Sequence, residues 1–310
     1  MVRLAIVGNG ERAARHQAAL AMVDDVEVVT VVGPRADAPY QELFARADID
    51  VVDLCAPPGP AADIAIAAAT AGKRVIAEYP PGSSAEDAER VDRALREHGG
   101  ALDLLLPERH QPLPQGLKAT LESGKLGSLR YAHAAWIGHW SASDQAARRE
   151  WDTEAPDGDV EAFVIEHAAG ALDMVAWFFG NVPVTAVFAR SCSLAGDGTP
   201  SRYVSTVLSF ADASQAIVEM GLTNSLPANG GLQRLALTGT RGSAYFTERD
   251  HDILVNENGA RALAGAATDG LAAAFSALLT NGAPDGARTA HLGFAAAESL
   301  RTGQPVEVGR

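Results

Sequence analysis

The chain has 310 residues, of which 47% are hydrophobic, and a formal net charge of −14. This length favours two domains with substantial cores, and an acidic chain without a basic run argues against nucleic acid or an anionic membrane as a partner. The cysteines, Cys55 and Cys192, lie far apart and predict neither a disulfide framework nor a metal site. No apolar run of 18 residues is present, and the apolar strand that begins at Val2 leaves no room for a signal peptide. We therefore expect a cytoplasmic protein that binds no metal.

The first predicted strand leads into a glycine-rich turn. Leu4 to Val7 is an apolar run, and a helix follows to about Met22. The pattern between them is G-x-G-x-x-A, in which the first glycine allows a tight turn and the second lets the backbone approach a pyrophosphate. A plain strand-to-helix turn is the alternative. The candidate cofactor-binding residues here are Gly8, Asn9, Gly10, Glu11 and Arg12.

The second predicted strand, Val26 to Val32, ends where a dinucleotide fold places its ribose-reading residue. No carboxylate follows this strand to hold a 2′-hydroxyl, and Gly33 and Arg35 lie close by. A 2′-phosphate is the better electrostatic match for an arginine. The sequence therefore favours NADP, with NAD possible, unless Arg35 is only a solvated loop residue.

The third and fourth predicted strands contribute two further turns. Asp50 to Cys55 runs into Ala56, Pro57 and Pro58, and the strand through Val75 to Ala77 runs into Glu78, Tyr79 and Pro80. The carboxyl ends of parallel strands meet at one edge of a sheet, where a nicotinamide cofactor binds. We expect both turns to contact the cofactor, and Tyr79 to act as an acid or an electrostatic group.

The rest of the first half predicts one more helix, residues 84–97, and one more strand, residues 102–106. His110 follows that strand and is a candidate for contact with substrate; the alternative is a loop residue at the domain boundary. We assign residues 1–112 to a Rossmann dinucleotide-binding domain.

The second half changes character. Strand patterns dominate it, separated by turn signals, and they predict a mostly antiparallel sheet. Helices are expected over residues 114–123, 163–179 and 289–300. We assign residues 113–310 to an α/β domain for substrate binding and oligomerisation. The predicted strands are residues 129–139, 182–193, 203–210, 215–223, 235–238 and 243–246.

Several of these motifs, taken in order, resemble the Gfo/Idh/MocA oxidoreductases. The resemblance implies a Rossmann domain followed by an open-faced α/β domain, a small-molecule substrate bound between them, and a homo-oligomer, either a dimer or a tetramer. The motifs that carry it are the glycine turn, Ala56-Pro57-Pro58, and residues 71–80, 122–127 and 298–306.

The chain departs from that family at two positions. Most members have Glu-Lys-Pro where this chain has Glu78-Tyr79-Pro80, and a Glu-Tyr-Pro turn is similar to that of biliverdin reductases. The family's Asp-x-Gly-x-His signature would place Glu166 at its aspartate, so that His167 is displaced from the histidine position. Glu166 and His167 remain candidate catalytic residues, His167 as a general acid. A hydrogen-bonded core histidine is the alternative.

Three functions follow from this sequence. The first is an NAD(P)-dependent oxidoreductase that transfers hydride between nicotinamide and a C=N, conjugated C=C or carbonyl group. The second is a sugar or polyol dehydrogenase with rearranged acid and base residues. The third is a binding protein that keeps the fold without redox chemistry.

Overall fold

The computed structural model describes residues 1–33, 40–100, 102–139, 160–193, 202–223, 232–247, 253–256, 270–282 and 286–308. The chain forms two compact units. The first contains Met1–His110 and Asp269–His291, and the second contains Gln111–Thr268 and Leu292–Arg310. The sequence-based division placed all of residues 113–310 in the second domain, whereas the structure includes 269–291 in the first unit.

The first unit is built on a parallel five-stranded sheet in the order β2-β1-β3-β4-β5. The expected Rossmann architecture is confirmed. Its strands are β1 (Val2–Gly8), β2 (Val26–Val32), β3 (Val51–Cys55), β4 (Arg74–Glu78) and β5 (Asp103–Leu105). Its helices are α1 (Gly10–Leu20), α2 (Tyr40–Phe44), α3 (Pro58–Thr70) and α4 (Ala85–Glu97), and a 3₁₀ turn covers Pro107–His110.

The central strands of this sheet are buried along their length. All five residues of β3 are buried, as expected for a parallel strand covered on both faces. A later helix, α8 (Leu271–Asn281), adds to the same core by burying Leu271, Ala274, Phe275 and Leu278. This helix was not predicted, and it explains why a distant part of the chain belongs to the first unit.

Strand register brings three strand ends to one edge. Gly8 pairs with Cys55, and Leu54 pairs with Ala77, so β1, β3 and β4 end side by side. A Cβ atom on Gly8 would lie 2.3 Å from the Cβ of Cys55. The first glycine of the turn is therefore required by the close approach of β3.

The second unit contains an eight-stranded sheet in the order β12-β11-β10-β6-β9-β8-β7-β13. Its neighbouring strands are antiparallel except β6 and β9, which confirms the mostly antiparallel prediction. The strands are β6 (Leu129–His139), β7 (Val184–Ser193), β8 (Arg202–Phe210), β9 (Gln215–Thr223), β10 (Leu232–Gly239), β11 (Ser243–Thr247), β12 (Ile253–Asn256) and β13 (Val306–Glu307). The helices are α5 (Pro112–Glu122), α6 (Val160–Phe163) and α7 (Ala169–Phe178); a π-helical turn, Val164–Ala168, joins α6 to α7, and α9 (Gly286–Thr302) spans the division between units.

The core of the second unit is centred on α7. Eight of its ten residues are buried, and six of these pack in one core cluster with side chains of the sheet such as Val187, Val204 and Val218. Ser299 of α9 accepts a hydrogen bond from the Ala189 amide and donates one to the Gln304 carbonyl, which ties the end of α9 to β7. This arrangement matches an α/β layer with helices on one face of the sheet.

In the part of the chain that the structure describes, no helix combines the length and the apolar character needed to cross a bilayer.

We expect Gly8→Ala to lower the free energy of unfolding by about 1–3 kcal/mol, because the added methyl group overlaps Cys55. The matched control is Gly59→Ala in α3, where no described atom lies within 4 Å of the added Cβ. That change should be neutral or stabilise by up to about 1 kcal/mol. Urea denaturation of both variants checks this, and equal stability of the two would contradict the close approach.

Candidate functional site

Two helices begin at the edge where β1, β3 and β4 end. Helix α1 starts at Gly10, which has a positive φ of 72°, and α3 starts at Pro58 with Pro57 as its N-cap. The first amide groups of a helix have no partner within the helix, and its N-terminus favours an anion. The glycine turn places such a helix start at this edge, whereas the start of α3 offers fewer amides, because Pro58 and Pro60 have no N–H group and the Ala61 amide donates to the Pro57 carbonyl.

An ion pair crosses this edge between α1 and β4. Arg12 Nη1 lies 2.6 Å from Glu78 Oε2, with 30% of the Arg12 side chain and 18% of the Glu78 side chain exposed. Burial alone would raise the pKa of Glu78, but the hydrogen bond from His16 and the charge of Arg12 outweigh it and lower that pKa. Glu78 is therefore ionised at neutral pH and holds the guanidinium at the glycine turn.

His16 connects this ion pair to the centre of the sheet. Its Nδ1 lies 2.8 Å from Asp53 Oδ2, and its Nε2 lies 2.7 Å from Glu78 Oε1. An ionised carboxylate only accepts hydrogen bonds, so both ring nitrogens act as donors and the ring is an imidazolium. Burial by itself lowers the pKa of His16, but the charge of Asp53 and the hydrogen bonds of Asp53, Cys55 and Glu78 raise it to about 12.

Asp53 and Cys55 complete this buried cluster. Asp53 is fully buried, and its Oδ1 has no hydrogen-bond partner among the described residues. Burial raises the pKa of Asp53, so the carboxylate depends on the imidazolium for its charge. The Cys55 sulfur lies 3.1 Å from His16 Nδ1, and burial together with the charge of Asp53 raises its pKa to about 12. Cys55 is therefore a neutral thiol.

Donor atoms of His16, Asp53 and Cys55 lie within 4.8 Å of one another, which is close enough to consider a metal ion. The 2.8 Å contact between Nδ1 and Oδ2 argues for a hydrogen bond instead, because two ligands about 2.0–2.2 Å from a tetrahedral ion lie roughly 3.4 Å apart. We describe the group as a hydrogen-bonded ionic cluster.

His16 and Asp53 were not predicted as site residues, although the sequence contains a signal for both. Ala13, His16 and Leu20 follow helical spacing on the buried face of α1, and Asp53 interrupts an otherwise apolar buried strand. A histidine and an aspartate at core positions of adjacent elements suggest a buried pair, because neither is stable there alone.

Tyr79 lies at the same edge, and its hydroxyl donates a hydrogen bond to the Ala290 carbonyl at 3.1 Å. Burial raises the pKa of Tyr79 well above its usual value of 10.0, so the phenol keeps its proton. The Tyr79–Pro80 peptide bond is cis. Tyr79 is thus a neutral hydrogen-bonding group at the predicted position.

His110 is the last residue of the 3₁₀ turn that follows β5, the strand next to β4. It is half-buried, and burial together with the charge of Arg109 lowers the pKa of His110 below 6.5. His110 therefore presents a neutral imidazole at physiological pH. Its predicted contact with substrate stays a prediction.

The structure describes the remaining predicted site residues only in part. Glu166 and His167 lie in the π-helical turn of the second unit, and their side chains lie outside what the structure describes. Single π-helical turns inside helices are frequent at functional sites. Arg35 also lies outside the described residues, whereas Gly33 follows β2 and its carbonyl accepts a hydrogen bond from the Tyr40 hydroxyl. Catalytic and cofactor-binding roles stay predictions for the whole set.

A parallel sheet with a glycine turn at its carboxyl edge defines a Rossmann-type dinucleotide-binding domain. Residues 2–104 match the "Oxidoreductase family, NAD-binding Rossmann fold", and residues 115–245 match the "GFO/IDH/MocA C-terminal domain". The two regions together include more than two thirds of the chain. The chain belongs to the GFO/IDH/MocA family of oxidoreductases.

Individual proteins that resemble this chain share a low sequence identity with it. A protein of Sphingobium sp. (strain NBRC 103272 / SYK-6) named 4-carboxy-2-hydroxymuconate-6-semialdehyde dehydrogenase is 26% identical over 197 residues, which span 58% of this chain and 60% of that protein. An oxidoreductase from Agrobacterium radiobacter, solved with NAD+, L-tartaric acid and magnesium, has a TM-score of 0.82 at 17% identity over 99% of this chain and 98% of its own. Biliverdin reductase from Synechocystis sp. PCC 6803, solved with biliverdin and NADP+, has a TM-score of 0.73 at 19% identity over 97% and 99%. The two solved structures establish the fold.

We expect the free energy of unfolding to fall as pH rises above about 6.5, by up to about 1.4 kcal/mol per pH unit. The pKa of His16 is higher in the folded than in the unfolded chain, so its stabilising contribution is complete below 6.5 and is lost as pH approaches the folded value. Glu78 acts in the opposite direction, because its lowered pKa makes its contribution complete above 4.5 and lost on acidification.

Urea denaturation across this pH range tests the linkage. His16→Gln should flatten the decline above pH 6.5, and His98→Gln, the same change at an exposed histidine of the first unit, should leave it intact. An identical pH dependence in His16→Gln and the wild-type protein would show that His16 does not hold the proton.

Proposed function

We propose that this protein is an NAD(P)-dependent oxidoreductase that transfers hydride between nicotinamide and a C=N, conjugated C=C or carbonyl group of a small molecule. The observation that carries this proposal is the shared edge of β1, β3 and β4, where a glycine turn with no room for a Cβ at Gly8 leads into the N-terminus of α1. When bound, the nicotinamide supplies the hydride, and the protein binds and orients both reactants.

NADP is the preferred cofactor in this proposal. The described residues at the end of β2, Val32 and Gly33, carry no carboxylate for a ribose 2′-hydroxyl, and Arg35 follows in the sequence. An arginine complements a 2′-phosphate. NAD remains the weaker alternative. The proposal also includes a homo-oligomer, a dimer or a tetramer, which the family resemblance implies.

The state of Tyr79 supports a substrate that needs no strong base at this position. A phenol whose pKa is raised keeps its proton, so it is unsuited to removing a proton from an alcohol. A neutral hydrogen-bonding edge suits hydride delivery to a conjugated or imine carbon. The likeness of Glu78-Tyr79-Pro80 to the turn of biliverdin reductases favours a conjugated group as the hydride acceptor. The Sphingobium relative is named a semialdehyde dehydrogenase, which favours a carbonyl group instead.

One observation favours a second candidate, a sugar or polyol dehydrogenase. His110 is neutral at physiological pH and follows β5 at the edge of the same sheet. A neutral imidazole can accept the proton that leaves a hydroxyl during oxidation. In this alternative His110 replaces Tyr79 as the proton-exchanging group, with His167 and Glu166 as the other candidates.

Cofactor binding is tested by titrating the protein with NADPH and NADH and following nicotinamide fluorescence. We expect NADPH to bind at least about tenfold more tightly than NADH, which corresponds to about 1.4 kcal/mol from the 2′-phosphate contact. A preference for NADH would contradict the role of Arg35. No binding of either at millimolar concentration would favour a non-redox binding protein.

A substrate panel then separates the two enzyme candidates. Imines, conjugated enones and aldehydes are assayed for NADPH oxidation, and sugars and polyols for NADP+ reduction. Turnover confined to the sugars and polyols, with a rate that rises with pH through a pKa below 6.5, would replace the first candidate by the second.

We expect Tyr79→Phe to lower turnover about tenfold or more while changing cofactor affinity less than about twofold, because the change removes only the hydroxyl at the edge of the sheet. The matched control is Tyr131→Phe, which removes a hydroxyl from an exposed tyrosine of β6. Steady-state kinetics and cofactor titration measure the two effects. Unchanged turnover in Tyr79→Phe would remove Tyr79 from the mechanism.

A further inference from the structure

The cluster beneath the glycine turn is balanced in charge. Arg12 and His16 contribute two positive charges, and Asp53 and Glu78 contribute two negative charges. Glu78 lies at the edge where the diphosphate of a dinucleotide would bind, and an uncompensated carboxylate there would repel it. The positive charges of Arg12 and His16 therefore affect anion binding at the glycine turn as well as the stability of the fold.

The four side chains form a continuous line from the core to the edge. Asp53 in β3 accepts a hydrogen bond from His16, His16 donates its other N–H to Glu78 at the end of β4, and the second oxygen of Glu78 holds Arg12 in the first turn of α1. Each carboxylate oxygen in the line between His16 and Arg12 has a defined partner. The orientation of the guanidinium thus depends on a histidine that is fully buried.

We propose that His16 is a positioning residue for the cofactor: it orients Glu78, and through Glu78 it holds the Arg12 guanidinium where the diphosphate of the dinucleotide binds. This inference rests on the proposed function, because it requires a dinucleotide at the glycine turn. It adds a residue that touches neither cofactor nor substrate.

The surroundings of His16 leave this arrangement little freedom. Cys55 of β3 lies against Nδ1, Phe275 of α8 packs edge-on against the ring with centroids 5.2 Å apart, and Arg15 of α1 adds positive charge near Glu78. With both nitrogens donated and the ring packed against an aromatic edge, rotation would break two charge-assisted hydrogen bonds. The imidazolium therefore sets the position of Glu78.

An apolar contact could join α1 to the sheet equally well, because replacing a buried ion pair by packed hydrophobic residues is often neutral or stabilising. A purely structural role predicts that any damage to the cluster affects stability and leaves cofactor binding alone. A positioning role predicts that removing a positive charge from the cluster weakens cofactor binding, whereas removing a negative charge leaves binding unchanged or strengthens it. The two roles can be separated by variants that disturb the same contact.

The experiment measures the Kd for NADPH by fluorescence titration in the full-length protein. His16→Asn loses both the positive charge and the donor that reaches Glu78, and we expect it to weaken binding about tenfold. His16→Gln, whose longer side chain extends toward Glu78, should recover part of that loss. Asp53→Asn breaks the same buried pair but removes a negative charge, so it should leave affinity unchanged or make it tighter.

Substitution of Arg12 tests whether His16 affects NADPH binding through Glu78 and Arg12. Arg12→Gln should itself weaken NADPH binding about tenfold, and adding His16→Asn to that variant should change the Kd by less than about twofold. Full additivity of the two changes would overturn the proposal, because it would mean that His16 acts independently of Arg12. His98→Gln is the control for removing a histidine from the first unit.

Thermal denaturation accompanies each titration, so that a variant that fails to fold is recognised. If His16→Asn does not fold, the comparison of His16→Gln with Asp53→Asn tests the proposal instead. Weaker NADPH binding in His16→Gln but not in Asp53→Asn supports the proposal, and equal effects in both variants overturn it. NADPH binding with unchanged affinity in the His16 variants would overturn this inference alone. Failure of the wild-type protein to bind NADPH would overturn the proposed function and this inference together.

Discussion

The hydrogen bond between His16 and Asp53 is the contact on which the charged cluster of the first unit depends. Asp53 lies in the middle of a fully buried parallel strand, where an isolated carboxylate would be strongly destabilising. The imidazolium stabilises that charge from the facing helix and so determines how α1 lies against β3. Burial alone would lower the pKa of His16, but the charge of Asp53 and the hydrogen bonds of Asp53, Cys55 and Glu78 together outweigh it.

The same imidazolium connects the core with the cofactor edge. Its second N–H reaches Glu78, the last residue of β4, and the other oxygen of Glu78 pairs with Arg12 beside the glycine turn. Two side chains, His16 and Glu78, thus link Asp53 in the core of the sheet to Arg12 beside the glycine turn. In this fold the edge is assembled by register, since Gly8 and Cys55 are paired and the end of β4 follows one strand further.

The residues at the end of β4 limit the chemistry available at this edge. Tyr79 is neutral, donates to the Ala290 carbonyl and keeps its proton. Positive charge beside Glu78 comes from Arg12 and His16, both on α1, and the imidazole of His110, which follows β5, is neutral. An enzyme with this edge relies on binding and orientation more than on a cation or a strong base at the end of β4. That property links the proposed function to an electrophilic, unsaturated substrate.

Sequence patterns alone were sufficient to predict the class of fold and the glycine turn between β1 and α1, both of which the structure confirms. Local signals are responsible: continuous apolar strands, a glycine turn between strand and helix, and alternating strands in the second half all depend on neighbours within a few residues. The resemblance to the family supplied the order of domains. The cofactor edge was predicted for the same reason, because parallel strands of known order must end together.

Only the tertiary structure showed the His16 cluster and the return of residues 269–291 to the first unit. His16 and Asp53 are 37 residues apart, and whether a buried histidine faces a carboxylate depends on helix rotation and strand register together. Helix α8 joins a core that begins some 250 residues earlier in the chain, and its apolar pattern does not indicate which sheet it covers. The hydrogen-bond partner of Tyr79, the Ala290 carbonyl, likewise lies 211 residues later in the chain. Contacts between residues far apart in the chain are set by packing in three dimensions, and the local periodicity of a sequence does not specify them.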